Sequence, residues 1–422
     1  MKSRQQLFLI LLFACLNTVR LDVARAQTQQ ESHRRADFGS SLKTLKWDKK
    51  KQKALDTAPT QEAASKPGQK VSKPEEDDVL RLDTVMAVFD VLVLDAQGRS
   101  LTGFKQTDFI VNEDGQPQEI AAFSTGDGLS VPRSFVLIID YSGSQLPYLR
   151  TSIEAAKTLV DKLAPKDRMA IVTDDVELVV EFTQDREQLK LALDSLKQRA
   201  LSSRSLGQSA QLSALLATLR ELVKEEERPI ILFQTDGDEL YRLHPIKEDS
   251  SRPGQRVREY SFEDVYQALA HSRTTLYTII PGLQLLGVSA EEQMKRAAQM
   301  YENQLQAMDR IVPGVAGRSR PSSGASSDWL ISNFGSRALR QQAAISGLAV
   351  LTGGWVEFLE KPEQAETIYA RILRGINRRY VIGYYPTNAT RDGKLRKVKI
   401  EVRGHPEYRV WGRKSYYAAE EK

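Results

Sequence analysis

Between residues 134 and 379 short apolar runs alternate with stretches of helical period. Phe135 to Ile139 is uninterrupted apolar sequence, the pattern of a strand buried on both faces. It stops at Asp140, passes through Tyr141, Ser142, Gly143 and Ser144, and gives way to apolar residues at helical spacing: Leu146, Ile153, Ala156, Leu159, Val160 and Leu163. Further strands are predicted at Arg168 to Thr173, Pro229 to Thr235, Thr274 to Ile280 and Trp355 to Phe358. Val176 to Phe182 reads as an antiparallel edge strand joined through Asp174 and Asp175. Helices are predicted at Arg186 to Leu196, Ser209 to Val223, Phe262 to Ala270, Ala338 to Leu351 (closed by Gly353 and Gly354) and Glu363 to Asn377. This alternation predicts an α/β fold with a doubly wound, mostly parallel sheet covered by helices on both faces. Two insertions, at about 238–259 and 282–336, follow strand ends and should flank the face where those strands finish. The second carries an amphipathic helix near Ala290 to Met308 and a Gly/Ser/Pro-rich loop from Pro313 to Ser327.

The flanks have a different period. Residues 79–124 contain a strand-like run from Val85 to Val93 and a hairpin pattern from Phe109 through Asp114 and Gly115. Residues 380–418 return to strands at Tyr380 to Tyr385, Val398 to Val402 and Tyr408 to Trp411. Each flank is too small to bury a core alone. They are therefore expected to pack together as one β module into which the domain at 134–379 is inserted. Residues 27–78 are rich in Gln, Lys, Ser and Pro and read as a disordered linker; the Lys49-Lys50-Lys51 cluster there reads as part of its solvated surface.

The chemistry gathers at the first strand end. A lone Asp after a strand is usually a turn former or helix cap. Here Asp140 is followed by two hydroxyls, and Asp236 arrives at the end of another predicted strand in T-D-G, residues 235 to 237. These groups offer only oxygen, which suits a hard cation, Mg²⁺ first, with Mn²⁺ or Ca²⁺ as alternatives. Turns of this kind are where open α/β sheets bind ligands.

Asp140-x-Ser142-x-Ser144 with the later T-D-G resembles a von Willebrand factor type A domain and its metal-ion-dependent adhesion site. More narrowly, F-x-V-x-E-D-G at Phe109 to Gly115, L-T-G-G at Leu351 to Gly354 and Y-V-I-G-Y-Y-P at Tyr380 to Pro386 resemble secreted bacterial VWFA-related proteins of acidobacterial type. The resemblance implies a Rossmann-like sheet and a metal held by Asp140, Ser142, Ser144, Asp236 and a hydroxyl from a second loop. In that loop Ser209, within Leu206-Gly207-Gln208-Ser209, takes the place of the family's Thr, without the Gly pair that usually precedes it. Asp174 stands where the family usually has an aromatic residue and reads as a solvated turn residue. Ligands of such low charge leave the metal able to accept an acidic side chain from a partner protein. The function implied is an exported, metal-dependent, adhesion-type binding module. Two other readings remain: a structural cell-envelope component with a vestigial metal site, and a metal-dependent hydrolase. Against the hydrolase, a phosphoryl-transfer loop usually places a second Asp where Ser142 stands, and G-x-S-x-G, H-E-x-x-H and P-loop patterns are missing. A net charge of +5 spread over 422 residues, with no basic helix, does not point to nucleic acid. The sequence leaves the oligomeric state open.

Residues 1–26 read as a secretory leader: Lys2 and Arg4, an apolar core from Leu7 to Leu16 too short to span a bilayer, and Ala24-Arg25-Ala26 as a cleavage site. No later apolar run approaches transmembrane length. Cys15 is the only cysteine, so the processed chain would hold no disulfide. Lipidation at Cys15 is the alternative, although Phe13 fits a lipobox poorly. Mass spectrometry of the protein from its native host is expected to find Gln27 at the N-terminus; a diacylated Cys15 would instead make the chain a lipoprotein.

Overall fold

The structure, a computed structural model, describes residues 38–39, 45–48, 53–56, 85–125, 132–202, 210–223, 228–237, 261–311, 314 and 327–420. The predicted leader, most of the predicted linker and the insertion at 238–259 lie outside these residues. Within 27–78, Leu45–Asp48 (β1) and Lys53–Asp56 (β2) pair antiparallel, with Leu45 opposite Asp56. The expectation of a linker without regular structure does not hold there. Leu45 and Trp47 alternate with Lys46 and Asp48 at strand period. Phe38 also packs on the α/β core, and Gly39 donates its N–H to Glu221 Oε2 at 2.7 Å.

Segment 85–125 carries Ala87–Leu94 (β3), Ser100–Leu101 (β4), Phe109–Glu113 (β5), Gln116–Gln118 (β6) and Ile120–Thr125 (β7). The α/β domain follows with Ser134–Ile139 (β8), Leu146–Asp161 (α1), Arg168–Thr173 (β9), Glu177–Thr183 (β10) and Arg186–Ser202 (α2). Next come Gln211–Ala217 (α3), which continues as a π-helical turn over Thr218–Leu222, then Ile230–Gln234 (β11), Phe262–His271 (α4) and Thr275–Pro281 (β12). Ala290–Ile311 (α5), Ser327–Leu351 (α6), Val356–Leu359 (β13) and Ala365–Asn377 (α7) complete it. Tyr380–Tyr384 (β14), Leu395–Val402 (β15), Arg409–Trp411 (β16) and Ser415–Tyr417 (β17) close the described chain.

The central sheet has the order β10-β9-β8-β11-β12-β13, parallel except for the antiparallel edge strand β10. Its two faces follow from strand period. Phe135, Leu137 and Ile139 pack against α1, α2 and α7, while Val136 and Ile138 pack against α3, α4 and α6. All five are 0% exposed, each burial stabilising by about 2 kcal/mol. This is the Rossmann-like α/β fold that the alternation predicts.

Helix α6 begins at Ser327 rather than Ala338. Ser332, Asn333, Gly335 and Ser336 are poor helix formers and hide the period, but packing overrides propensity. Phe334 meets Tyr301 of α5 edge-on at 5.6 Å, and a Cβ at Gly335 would fall 2.7 Å from Ala297 Cβ. Helix α6 thus also covers residues up to Arg337 for which no element is predicted. Most of the loop expected from Pro313 to Ser327 lies outside the described residues, and α5 lies beside the turn at Gly143–Gln145. Among the described residues no helix is long and apolar enough to cross a membrane.

The flanking strands interleave, as their sizes require. One sheet has the order β16-β3-β14-β7, with β4 on β3, and the other β17-β15-β5-β6. C-terminal β14 lies between N-terminal β3 and β7. Phe89, Phe109, Val111, Tyr380, Ile382 and Tyr384 share one core. Buried Glu113 ties the sheets together: its Oε2 accepts from Tyr384 OH at 2.8 Å and Tyr416 OH at 2.7 Å. The module is fastened to the α/β domain by buried Arg379, which donates to Asp90 O at 2.7 Å and Gly353 O at 2.5 Å and lies over Tyr277 and Trp355. Arg413 adds bonds to Ala270 O and Thr274 O, both at 3.0 Å.

The L-T-G-G stretch sits at this junction. Gly353 has φ +81°, and at Gly354 a Cβ would fall 1.8 Å from Leu276 O. Gly354→Ala is therefore expected to destabilise the chain by about 3 kcal/mol or more, the upper end of overpacking costs, as read by urea unfolding. A midpoint matching wild type would show that the junction can open without loss.

Candidate metal centre

Parallel register aligns three strand ends. Ile139 lies opposite Thr173 on β9 and opposite Gln234 on β11, so Asp140, Asp174 and Thr235 follow at one level with Asp236 next. The chain leaves β8 for β9 on one side, and β11 continues the sheet on the other, which makes this gap a topological switch point. The backbone keeps the strand ends in step: Asp140 N–H donates to Gln234 O at 3.1 Å and Asp174 N–H to Ile139 O at 3.2 Å.

Asp140 is 0% exposed, and its Oδ1 accepts the N–H of Ser142 at 3.0 Å. The Ser142 and Ser144 hydroxyls lie 3.2 Å apart, and Ser144 donates to Asp236 Oδ2 at 2.6 Å. Four of the five residues expected at the site are thus brought together from two strand ends. The fifth, Ser209, lies outside the described residues.

Three further side chains were not anticipated here. Gln145 donates through Nε2 to Asp236 Oδ2 at 2.8 Å and Ser144 Oγ at 3.3 Å, while its Oε1 is buried with no hydrogen-bond partner. Gln211, fully buried at the start of α3, donates to Asp140 Oδ2 at 2.8 Å. Every residue of α3 is buried, so a glutamine opening that run was the available clue. The third is Asp174, which is not a solvated turn residue: it is 0% exposed. Because β8 and β9 end in register, its Oδ1 accepts the Tyr141 N–H at 3.2 Å; its Oδ2 is buried without a partner.

This concentration of acid is electrostatically costly. Burial, then the neighbouring Asp174 carboxylate, pushes Asp140 up to about 7. Asp174 is likewise pushed up to about 7, by burial first, against the lowering effect of the Tyr141 N–H and with Asp175 and Asp236 adding repulsion. The Tyr141 hydroxyl donates to Asp175 Oδ2 at 2.5 Å, and nearby Arg199 is paired with Glu177 at 2.7 Å. The residues fit a hard divalent cation. The donor atoms are all oxygen, and two buried acceptors lack donors. Among the described residues no three acidic, histidine or cysteine side chains converge closely enough to hold a metal by themselves, so hydroxyls have to contribute.

An open α/β sheet with an oxygen-rich cluster at its switch point defines a class of ligand-binding domain. Residues 135–239 match the family model of the von Willebrand factor type A domain, and the chain contains such a domain. Among solved structures, one similar to this chain is an aerotolerance-related membrane protein from Bacteroides fragilis, at 13% identity and TM-score 0.33, covering 58% of this chain and 98% of that one. A von Willebrand factor type A protein from Catenulispora acidiphila matches at 12% identity and TM-score 0.33, covering 81% and 76%. Manganese-loaded TRAP protein from Plasmodium vivax matches at 11% identity and TM-score 0.30, covering 75% and 100%. No curated protein matches the chain.

The raised carboxyls give a signed pH dependence. Between their ordinary value of 3.8 and about 7 the folded state keeps protons that the unfolded state has released. In the absence of divalent cations their contribution to stability is therefore present below pH 4 and is lost as pH rises through 7. Asp140→Asn is expected to melt about 2–4 °C above wild type in EDTA at pH 8, equivalent to about 1 kcal/mol, and level with it at pH 4. A variant that melts below wild type at pH 8 would show that the Asp140 carboxylate is not a burden on the fold.

Proposed function

We propose that the chain is a divalent-cation-dependent, adhesion-type protein-binding module. The observation that carries this reading is the linkage of Asp140, Ser142 and Ser144, on the loop after one buried strand, to Asp236 at the end of the adjacent strand. Asp140, Ser142, Ser144, Ser209 and Asp236 would hold the cation, Mg²⁺ first, with Mn²⁺ or Ca²⁺ as alternatives. When bound, the cation supplies positive charge at the switch point that an acidic side chain of a partner protein can meet. The chain's own residues fix the donors: the Ser142 N–H orients Asp140, and Ser144 and Gln145 orient Asp236. The α5–α6 pair beside the turn supplies a wall that a docked partner would touch. The leader-like segment supports an exported protein of the secreted, periplasmic or cell-envelope fraction. Binding rather than catalysis is favoured because the loop offers Ser142 where a phosphoryl-transfer site would need a second carboxylate.

Buried Asp174 favours a second reading. A third carboxylate beside Asp140 and Asp236 lowers the charge a cation has left for a partner, which suits a structural envelope component whose cation serves the fold.

Calorimetry with Mg²⁺ and Mn²⁺ and capture of partners from envelope extract separate the two. In the adhesion reading Asp140→Ala weakens cation binding at least about tenfold, the scale on which even outer contacts of a metal act, and loses Mg²⁺-dependent capture while the fold persists. Ser209→Thr keeps or tightens binding. In the structural reading Asp140→Ala lowers the melting temperature in Mg²⁺ and leaves capture unchanged. Wild type that binds neither ion at millimolar concentration overturns both cation-dependent readings and leaves a structural component with a vestigial site.

A further inference from the structure

A side chain outside the expected ligand set lies between the two carboxylates. Gln211 Nε2 is 2.8 Å from Asp140 Oδ2 and 3.5 Å from Asp236 Oδ1. Those acceptors come from two strand ends, and the carboxamide joins them at 0% exposure. Gln145 acts similarly on one side, bonding Asp236 Oδ2 and Ser144 Oγ through Nε2. All four oxygens of Asp140 and Asp236 therefore face protein donors.

An amide NH₂ carries two donors and no acceptor, and it satisfies a carboxylate without bringing a charge. A hard cation requires the same oxygen lone pairs and repels N–H protons. Both cannot be served at once. We infer that Gln211 is an internal competitor for the cation: its carboxamide cross-links Asp140 and Asp236 in the cation-free protein and has to turn or withdraw before they can hold an ion. The terminal torsion of Gln is broad and roughly two-fold, so the group can turn in place. The neighbouring amide supplies an independent sign that the donors now in place do not complete the site. Gln145 is 1% exposed, yet its Oε1 has no donor. The inference rests on the reading that Asp140 and Asp236 hold a divalent cation.

The test uses the full chain and Mn²⁺ alone, with free Mn²⁺ followed by electron paramagnetic resonance and unfolding followed by circular dichroism. Gln211→Leu keeps the helix and much of the volume but removes the amide. It is expected to bind Mn²⁺ at least about fivefold more tightly than wild type, the low end of measured couplings between sites. It should also melt below wild type in EDTA, because Asp140 Oδ2 loses its donor, and gain more from Mn²⁺. Gln211→Asn, whose shorter side chain draws the amide back, should move affinity in the same direction and serves if the Leu variant does not fold. Wild type that binds Mn²⁺ while the folded variant binds it equally or more weakly overturns the competitor role and leaves the metal reading standing. If neither protein binds, both ideas fall. Binding by the variant alone supports both.

Discussion

The parallel pairing of β8 with β9 and β11 is the constraint on which this molecule depends. Residue-by-residue register brings three strands to an end at one level, and the side chains just beyond are acidic or hydroxylic. Buried apolar runs hold that register, because a slip of one residue would turn Phe135, Leu137 and Ile139 to the opposite face. The acidity of the site is thus a by-product of packing. The core fixes where the strands stop, and the stopping point gathers charge that hydrophobic burial has to sustain.

That ordering explains what could be read from the chain. The strands β8, β9, β11 and β12 were legible because burial on both faces leaves largely apolar runs, and α1 because its apolar residues recur at helical spacing. Asp140, Ser142, Ser144 and Asp236 were legible as a group because each follows directly from such a run. Asp174 was not, because its burial depends on β9 ending level with β8, a relation between strands that no local window contains. Gln211 was obscured by a helix whose other residues are apolar apart from Ser213, and the first half of α6 by glycine and serines that make sense only against α5. The short β1–β2 hairpin was lost in a segment whose overall composition is that of a linker.

The β module follows a different logic. Its strands are short, and its core is largely aromatic, with Phe89 stacked on Tyr384 and Phe104 edge-on to Phe109, Tyr380 and Tyr408. Glu113, placed between two phenols, gives that apolar core one fixed polar register point. Arg379, the residue just before β14, is also the one that reaches back into the α/β domain. The end of one unit and the start of the other are therefore anchored by the same guanidinium.

The position of β14 between β3 and β7 has a consequence for synthesis. The partners joined by Arg379 and Asp90 are 289 residues apart, and the whole α/β domain emerges from the ribosome between them. β7, and β3 beyond its short pairing with β4, leave the exit tunnel without their β14 partner and stay so until the last strands arrive, for tens of seconds at ordinary elongation rates of about 5–20 residues per second. Exposed edges of this kind invite pairing with other chains. The nascent protein thus passes through a vulnerable interval set by its topology, in which quality-control factors and not its own contacts have to guard the N-terminal strands.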